Sequence, residues 1–473
     1  MKVIKRFTLF VLIFSLIACI SNTRLVIADP NANRIKPYSE NPRYWQYKGK
    51  PVLLIGGTKD DSLFQIPDLE EHLDLLADCG GNYIRNTMSS RQDKGFELYP
   101  FKRLDNGKWD LNKWDEAYWA RFETMLKLTS ERDIIVQIEV WDRFDYARNN
   151  WNDGNPYNPK YNVNYTSEES GLKHEINTHP GRNENRFFYT VPALDNNRLI
   201  LDYQKAQINR LLDISLQYGN VLYCMDNETN GSPEWGKFWS QFIKDKAAES
   251  GVEVHTTEMW DKWDIRHDEH KSTYDHPELY SFIDVSQNNH NKGQKHWDNL
   301  MWVREYISGA LRPMNTIKIY GADTGKYGTT TDGRERFWRN IFGGCATTRF
   351  HRPGSGIGLS SIARANIRSM RMLSKEIDFF SSIPDSDSSS LYGRVDNEAY
   401  LTFIAGSHYA VYFPDGGSVT LDLSQNPSAA DREWNIRWLN IIESEWQDTS
   451  MVFGNKIVLA PPRLGHWVAL VTK

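Results

Sequence analysis

Cysteine is scarce, four in 473 residues, and the three beyond Cys19 (Cys79, Cys224 and Cys345) are widely spaced in apolar surroundings. That spacing excludes a disulfide scaffold and a zinc ribbon, so these thiols are expected to act as small buried hydrophobes. Excess positive charge is also missing: 56 Lys+Arg face 61 Asp+Glu, a net charge of −5 with no basic run. Nucleic-acid binding is therefore not expected. No GxGxxG opens a helix; Gly354-Ser-Gly356-Ile-Gly358 has the wrong spacing and no phosphate-binding lysine. His267-Asp-Glu-His270, the densest ligand-like cluster, lies in a polar stretch and reads as a solvated loop. No cofactor and no metal are expected. Beyond the N-terminus no apolar run approaches the ~20 residues of a membrane-spanning helix.

What is present begins with a targeting segment. Lys2, Lys5 and Arg6 precede an apolar stretch, Phe7 to Ala18, and Leu16-Ile-Ala-Cys19 reads as a lipobox. Residues 1–18 are then a signal peptide and Cys19 a lipidation site. The protein is expected to be exported to the periplasm or cell surface, its only membrane attachment the lipid at Cys19. A cut after Ala28 would instead release a soluble form.

From about residue 50 to residue 380, short apolar runs alternate with amphipathic helical stretches. The strand candidates are 51–56, 82–87, 133–140, 220–225, 252–257, 281–286, 316–320 and 345–350. Near-continuous apolar runs such as Val52-Leu-Leu-Ile55 suit parallel strands covered on both faces. Eight such alternations predict a (β/α)8 TIM barrel over 29–380. The serine-rich stretch at 386–390 opens a different texture of period-2 runs, among them Tyr400-Leu-Thr-Phe-Ile404 and Trp467-Val-Ala-Leu-Val471. Residues 386–473 are thus a small antiparallel β-sandwich. The long connection 141–199, rich in Asn, Tyr and Trp, lies over the C-terminal face of the barrel or packs its rim.

The chemistry centres on Met225-Asp-Asn-Glu228 at the end of strand four. A glycosidase needs a carboxylic acid there to protonate the leaving oxygen, and Asn227 would bind a neighbouring hydroxyl. A second carboxylate must face it across the barrel mouth, and Asp323, just past strand seven, supplies one; Glu258 on strand five is the alternative. Polar residues recur at the other strand ends. Lys59 and Asp60 follow strand one, Arg85 and Asn86 strand two, and Glu139 and Trp141 strand three. Trp260, Asp261 and Trp263 follow strand five, Gln287, Asn288 and His290 strand six, and Arg349, His351 and Arg352 strand eight. These, apart from Asp261, Trp263 and Gln287, are the candidate substrate-binding residues.

The chain resembles clan-A glycoside hydrolases, and more closely the apiosidase-like group, in which a barrel precedes a small β-sandwich of the type named collagen-binding. The resemblance rests on Asn41-Pro-Arg-Tyr-Trp45, Lys50-Pro-Val, Gly56-Gly57, Asn82-Tyr-Ile-Arg85, Asp226-Asn-Glu228, and Tyr409-Ala-Val-Tyr-Phe-Pro-Asp-Gly-Gly417 with Trp467-Val. It implies an acid/base on strand four, Glu228, and a nucleophile on strand seven. The family usually carries Glu at that second position, where this chain offers Asp323. It also implies hydrolysis of plant or algal oligo- or polysaccharide, an acidic sugar being one option given Lys59, Arg349 and Arg352. The rival readings are a carbohydrate-binding surface lipoprotein without activity and a polysaccharide lyase.

Overall fold

The computed structural model describes residues 29–91, 94–323, 327–425 and 432–473. The signal segment, Cys19 and the second cut site lie outside them. Eight parallel strands form the barrel: Leu54–Gly57, Tyr83–Thr87, Ile135–Asp142, Val221–Asn227, Thr256–Thr257, Ile283–Asp284, Met314–Asn315 and Thr347–Phe350. Strands two to five pair in register, six pairs with seven, and eight pairs with one. The remaining seams are closed locally. Asn82 N donates to Ile55 O between strands one and two, and Thr256 N to Ser281 Oγ between five and six. Ala346 N donates to Met314 O between seven and eight. The fold is the expected TIM barrel.

Most strand boundaries shift by a few residues from the sequence reading, strand five shrinking to Thr256–Thr257, and two of the differences shape the barrel interior and the site. Residues 51–56 divide: Lys50–Val52 turns back antiparallel on Trp45–Tyr47, and the barrel strand begins only at Leu54. This hairpin buries Trp45 against Phe282 and His255, and its indole donates to Asn315 Oδ1 at 3.0 Å. On strand seven the ladder covers only Met314–Asn315. Beyond it Ile317 N donates to Ser286 Oγ, and Ile319 bridges Phe350. Lys318 and Tyr320, two apart and both buried, share one face of this extended run, with their side chains on Glu228.

The last barrel helix, Ser361–Leu373, leads into two antiparallel sheets. The larger contains Tyr400–Ile404, His408–Phe413, Trp467–Thr472 and Glu433–Asn440; the smaller contains Leu391–Tyr392, Val419–Asp422 and Lys456–Leu459. Alternation explains how the larger sheet is buried on both faces. Val411, Phe413, Ala469 and Val471 pack into the sandwich core, while Ala410, Tyr412, Val468 and Leu470 join the barrel core. Tyr412 stacks on Trp338 of a barrel helix with centroids 5.6 Å apart.

Candidate active site

Strand four runs fully buried to Asn227, and Glu228 follows with φ of 55°, a left-handed conformation uncommon for a non-glycine residue. Such strain, worth about 1–3 kcal/mol, persists where the surroundings over-determine it. Here they do. Lys318 Nζ lies 2.8 Å from Glu228 Oε1, Tyr320 Oη donates to the same oxygen, and Gln287 Nε2 donates to it at 3.1 Å. Lys318 also donates to Asn227 Oδ1, and Asn227 Nδ2 donates to Asp142 Oδ1 at 3.0 Å. Burial pushes the Glu228 carboxyl up, but the Lys318 ammonium and the Tyr320 hydroxyl outweigh it and hold the group well below the usual carboxylate range. All three donors converge on Oε1, which leaves Oε2 uncommitted among the described residues.

One wall beside Glu228 is aromatic. Exposed Trp263 stacks on His290 with centroids 4.2 Å apart, and His290 meets Tyr320 edge-on at 5.1 Å. Tyr320 in turn stacks on Tyr327 at 4.6 Å. Deeper in the mouth, fully buried Arg85 is shared by two carboxylates. Its Nε donates to Glu139 Oε1 at 2.6 Å and its Nη1 to Asp61 Oδ1. Arg352 Nε reaches Asp61 Oδ2 at 2.6 Å, and His351 Nδ1 lies 3.7 Å from Asp61 Oδ1. Burial would raise the Asp61 carboxyl, but Arg85, His351, Arg352 and Arg91 hold it well below its ordinary value.

Several candidates from the sequence lie elsewhere. Asp323 is exposed, and its Oδ1 accepts from Thr330 N at 3.0 Å where the next helix begins; Lys318 and Tyr320 are the residues past strand seven that reach Glu228. Asp323 makes no contact with Glu228 among the described residues; its one side-chain bond is at that helix start. Glu258 is turned into the barrel wall: Oε1 accepts from Asp226 N and Met259 N, and a Cβ at Gly236 of the covering helix would lie 2.3 Å from Oε2. Burial and the adjacent Asp226 charge raise its carboxyl well above normal. Trp141 is core, packed on Trp235, Trp239 and Phe187. Trp260 is buried and donates to Thr273 Oγ1; Asn86 accepts from Phe64 N; Asn288 holds the His296 carbonyl.

The cations proposed for an acidic sugar are already committed. Lys59 pairs with Asp68, and Asp60 pairs with Lys94. Arg349 donates to Ile317 O and Thr58 Oγ1 inside the barrel. The 141–199 connection packs the rim, its Tyr146 and Phe187 stacked 4.0 Å apart. His267 caps a short helix, Asp268–Tyr274, and His270 is buried against Lys262 O, so this cluster is not a solvated loop. No group of metal-ligating side chains occurs among the described residues.

Sequence reading placed Gln287 and Asp261 at strand ends without a role and missed Lys318 and Tyr320. The signal for Lys318 was present: a lysine inside Ile317-Lys-Ile-Tyr320 is a charge in an apolar strand and must be paired.

No protein-family model and no curated protein matches this sequence. Among solved structures, a glycoside hydrolase family 5 protein from Bacteroides vulgatus superposes with a TM-score of 0.62 at 14% identity, covering 94% of each chain. A second, described as a glycoside hydrolase, gives 0.62 at 13% identity over 94% of this chain and 98% of its own. At that identity the likeness shows a shared fold over both the barrel and the C-terminal sheets.

Proposed function

We propose that the protein is a glycoside hydrolase whose reacting carboxylate is Glu228. One observation carries this: a strained, ionised glutamate at the C-terminal end of strand four, one oxygen pinned by three donors and the other uncommitted. An ionised carboxylate held that way can attack an anomeric carbon or take a proton from water, whereas donating a proton would require it to hold one. The strand-four acid expected from the sequence is accordingly reassigned to the nucleophile or base. The exposed Trp263 ring and its His290 support offer a face for a sugar.

The finer reading follows from the sequence: an apiosidase-like enzyme acting on plant or algal glycan fragments, exported and anchored at Cys19. The committed cations favour a neutral sugar at the reacting position. One observation favours a binding protein without activity: past strand seven, where the family resemblance implies a carboxylate, Lys318 faces Glu228. Reducing-sugar release across pectic and algal fragments separates the two. Release that Glu228→Gln abolishes supports the hydrolase; glycan binding without release by wild type supports the binding protein.

A further inference from the structure

Resting on the hydrolase reading, we propose that Asp261, in the loop after strand five, is the proton donor that partners Glu228. Backbone register brings the two together. Thr229, which follows Glu228, bridges Trp260, which precedes Asp261; Thr229 N donates to Met259 O and Asp261 N to Thr229 O, both at 2.8 Å. The same loop carries Trp263, whose partner His290 contacts Tyr320, and Tyr320 donates to Glu228. The other acids of the mouth are committed: Asp61 and Glu139 to Arg85, Asp142 to Arg91, Asp145 to Ser89. Half-buried Asp261 makes no side-chain hydrogen bond or ion pair among the described residues. The charged groups that face it are Glu228 from strand four, Lys318 from strand seven, its neighbour Lys262, and Glu269 of the short helix. Burial and then the Glu228 charge push its carboxyl up to about 7, with the two lysines opposing. Two neighbouring carboxyls driven apart in this way divide acid from base.

In the step, the Asp261 proton passes to the departing glycosidic oxygen, which takes the electrons of the bond to the anomeric carbon. The incoming pair comes either from Glu228 Oε2 itself or from the oxygen of an attacking water whose proton Oε2 takes up. The test compares kcat/KM of Asp261→Asn and Glu228→Gln on a glycan fragment, a phenyl glycoside and a dinitrophenyl glycoside, with thermal unfolding as a folding control. Asp261→Asn is expected to lose about 10²–10⁴-fold on the glycan and the phenyl glycoside and less than about tenfold on the dinitrophenyl glycoside, whose leaving group needs no proton. The alkaline limb of its pH profile should vanish. Glu228→Gln should fail on all three. A folded Asp261→Asn enzyme that cleaves the glycan like wild type, or that loses both aryl glycosides equally, overturns the assignment and leaves the hydrolase reading standing. A wild type inert on every substrate overturns both.

Discussion

Lys318 Nζ and Glu228 Oε1 lie 2.8 Å apart across the barrel mouth, joining the strand-seven run to the end of strand four. The ammonium opposes the cost of burying the carboxylate and keeps it charged. Lys318→Met should therefore raise the Glu228 carboxyl and move the acid limb of kcat/KM upward by about 1–3 pH units. The pH–rate profile reads this directly; an unmoved limb would mean the lysine does not set the charge of Glu228.

Asp323→Ala should keep turnover near wild type and cost under about 1 kcal/mol, since only an exposed bond to Thr330 N is lost. Activity assays with added azide provide the check. Inactivity restored by azide would return Asp323 to the role of nucleophile.

Glu258→Gln should fold and stay active. The amide oxygen can still accept from Asp226 N and Met259 N, and its NH₂ can replace the carboxyl proton beside Asp226. Because the Glu258 carboxyl is raised in the folded state, its contribution is fully present below the unfolded value of ~4.3 and is lost as pH rises through the folded one. Wild-type stability should decline over that interval, and denaturant titrations of the glutamine variant should show a shallower decline.

Arg85→Met should be costly. It leaves Glu139 and Asp61 buried without their shared cation, a loss of about 3–5 kcal/mol. Urea midpoints measure it, and a near-neutral result would mean that Arg352 and Arg91 suffice to hold Asp61.

Trp141, near the end of strand three, and Trp263, in the loop after strand five, should separate by role. Trp141→Ala opens a cavity among Trp235, Trp239 and Phe187 and should cost about 3–5 kcal/mol. Trp263→Ala removes a ring that is 59% exposed, so it should leave thermal stability nearly unchanged while raising KM for glycans. Equal losses of stability would deny Trp263 its place as a sugar platform.

By itself the sequence determined the alternation of apolar runs and amphipathic helices, hence the barrel, the change of texture near 386, and the position of Glu228 at the end of strand four. These are local properties: period and strand order follow from side-chain spacing along the chain. Which charges meet was decided only by tertiary structure. Lys318 and Tyr320 reach residues 91 and 92 positions away because the barrel closes. The same closure turns Glu258 into the wall, ties Asp323 to a helix start, and leaves Asp261 uncommitted beside Glu228. A polar residue at a strand end looks the same in sequence whether it faces the mouth, the wall or a neighbouring loop. Burial and the partner it finds there set its charge, and both are products of the whole fold.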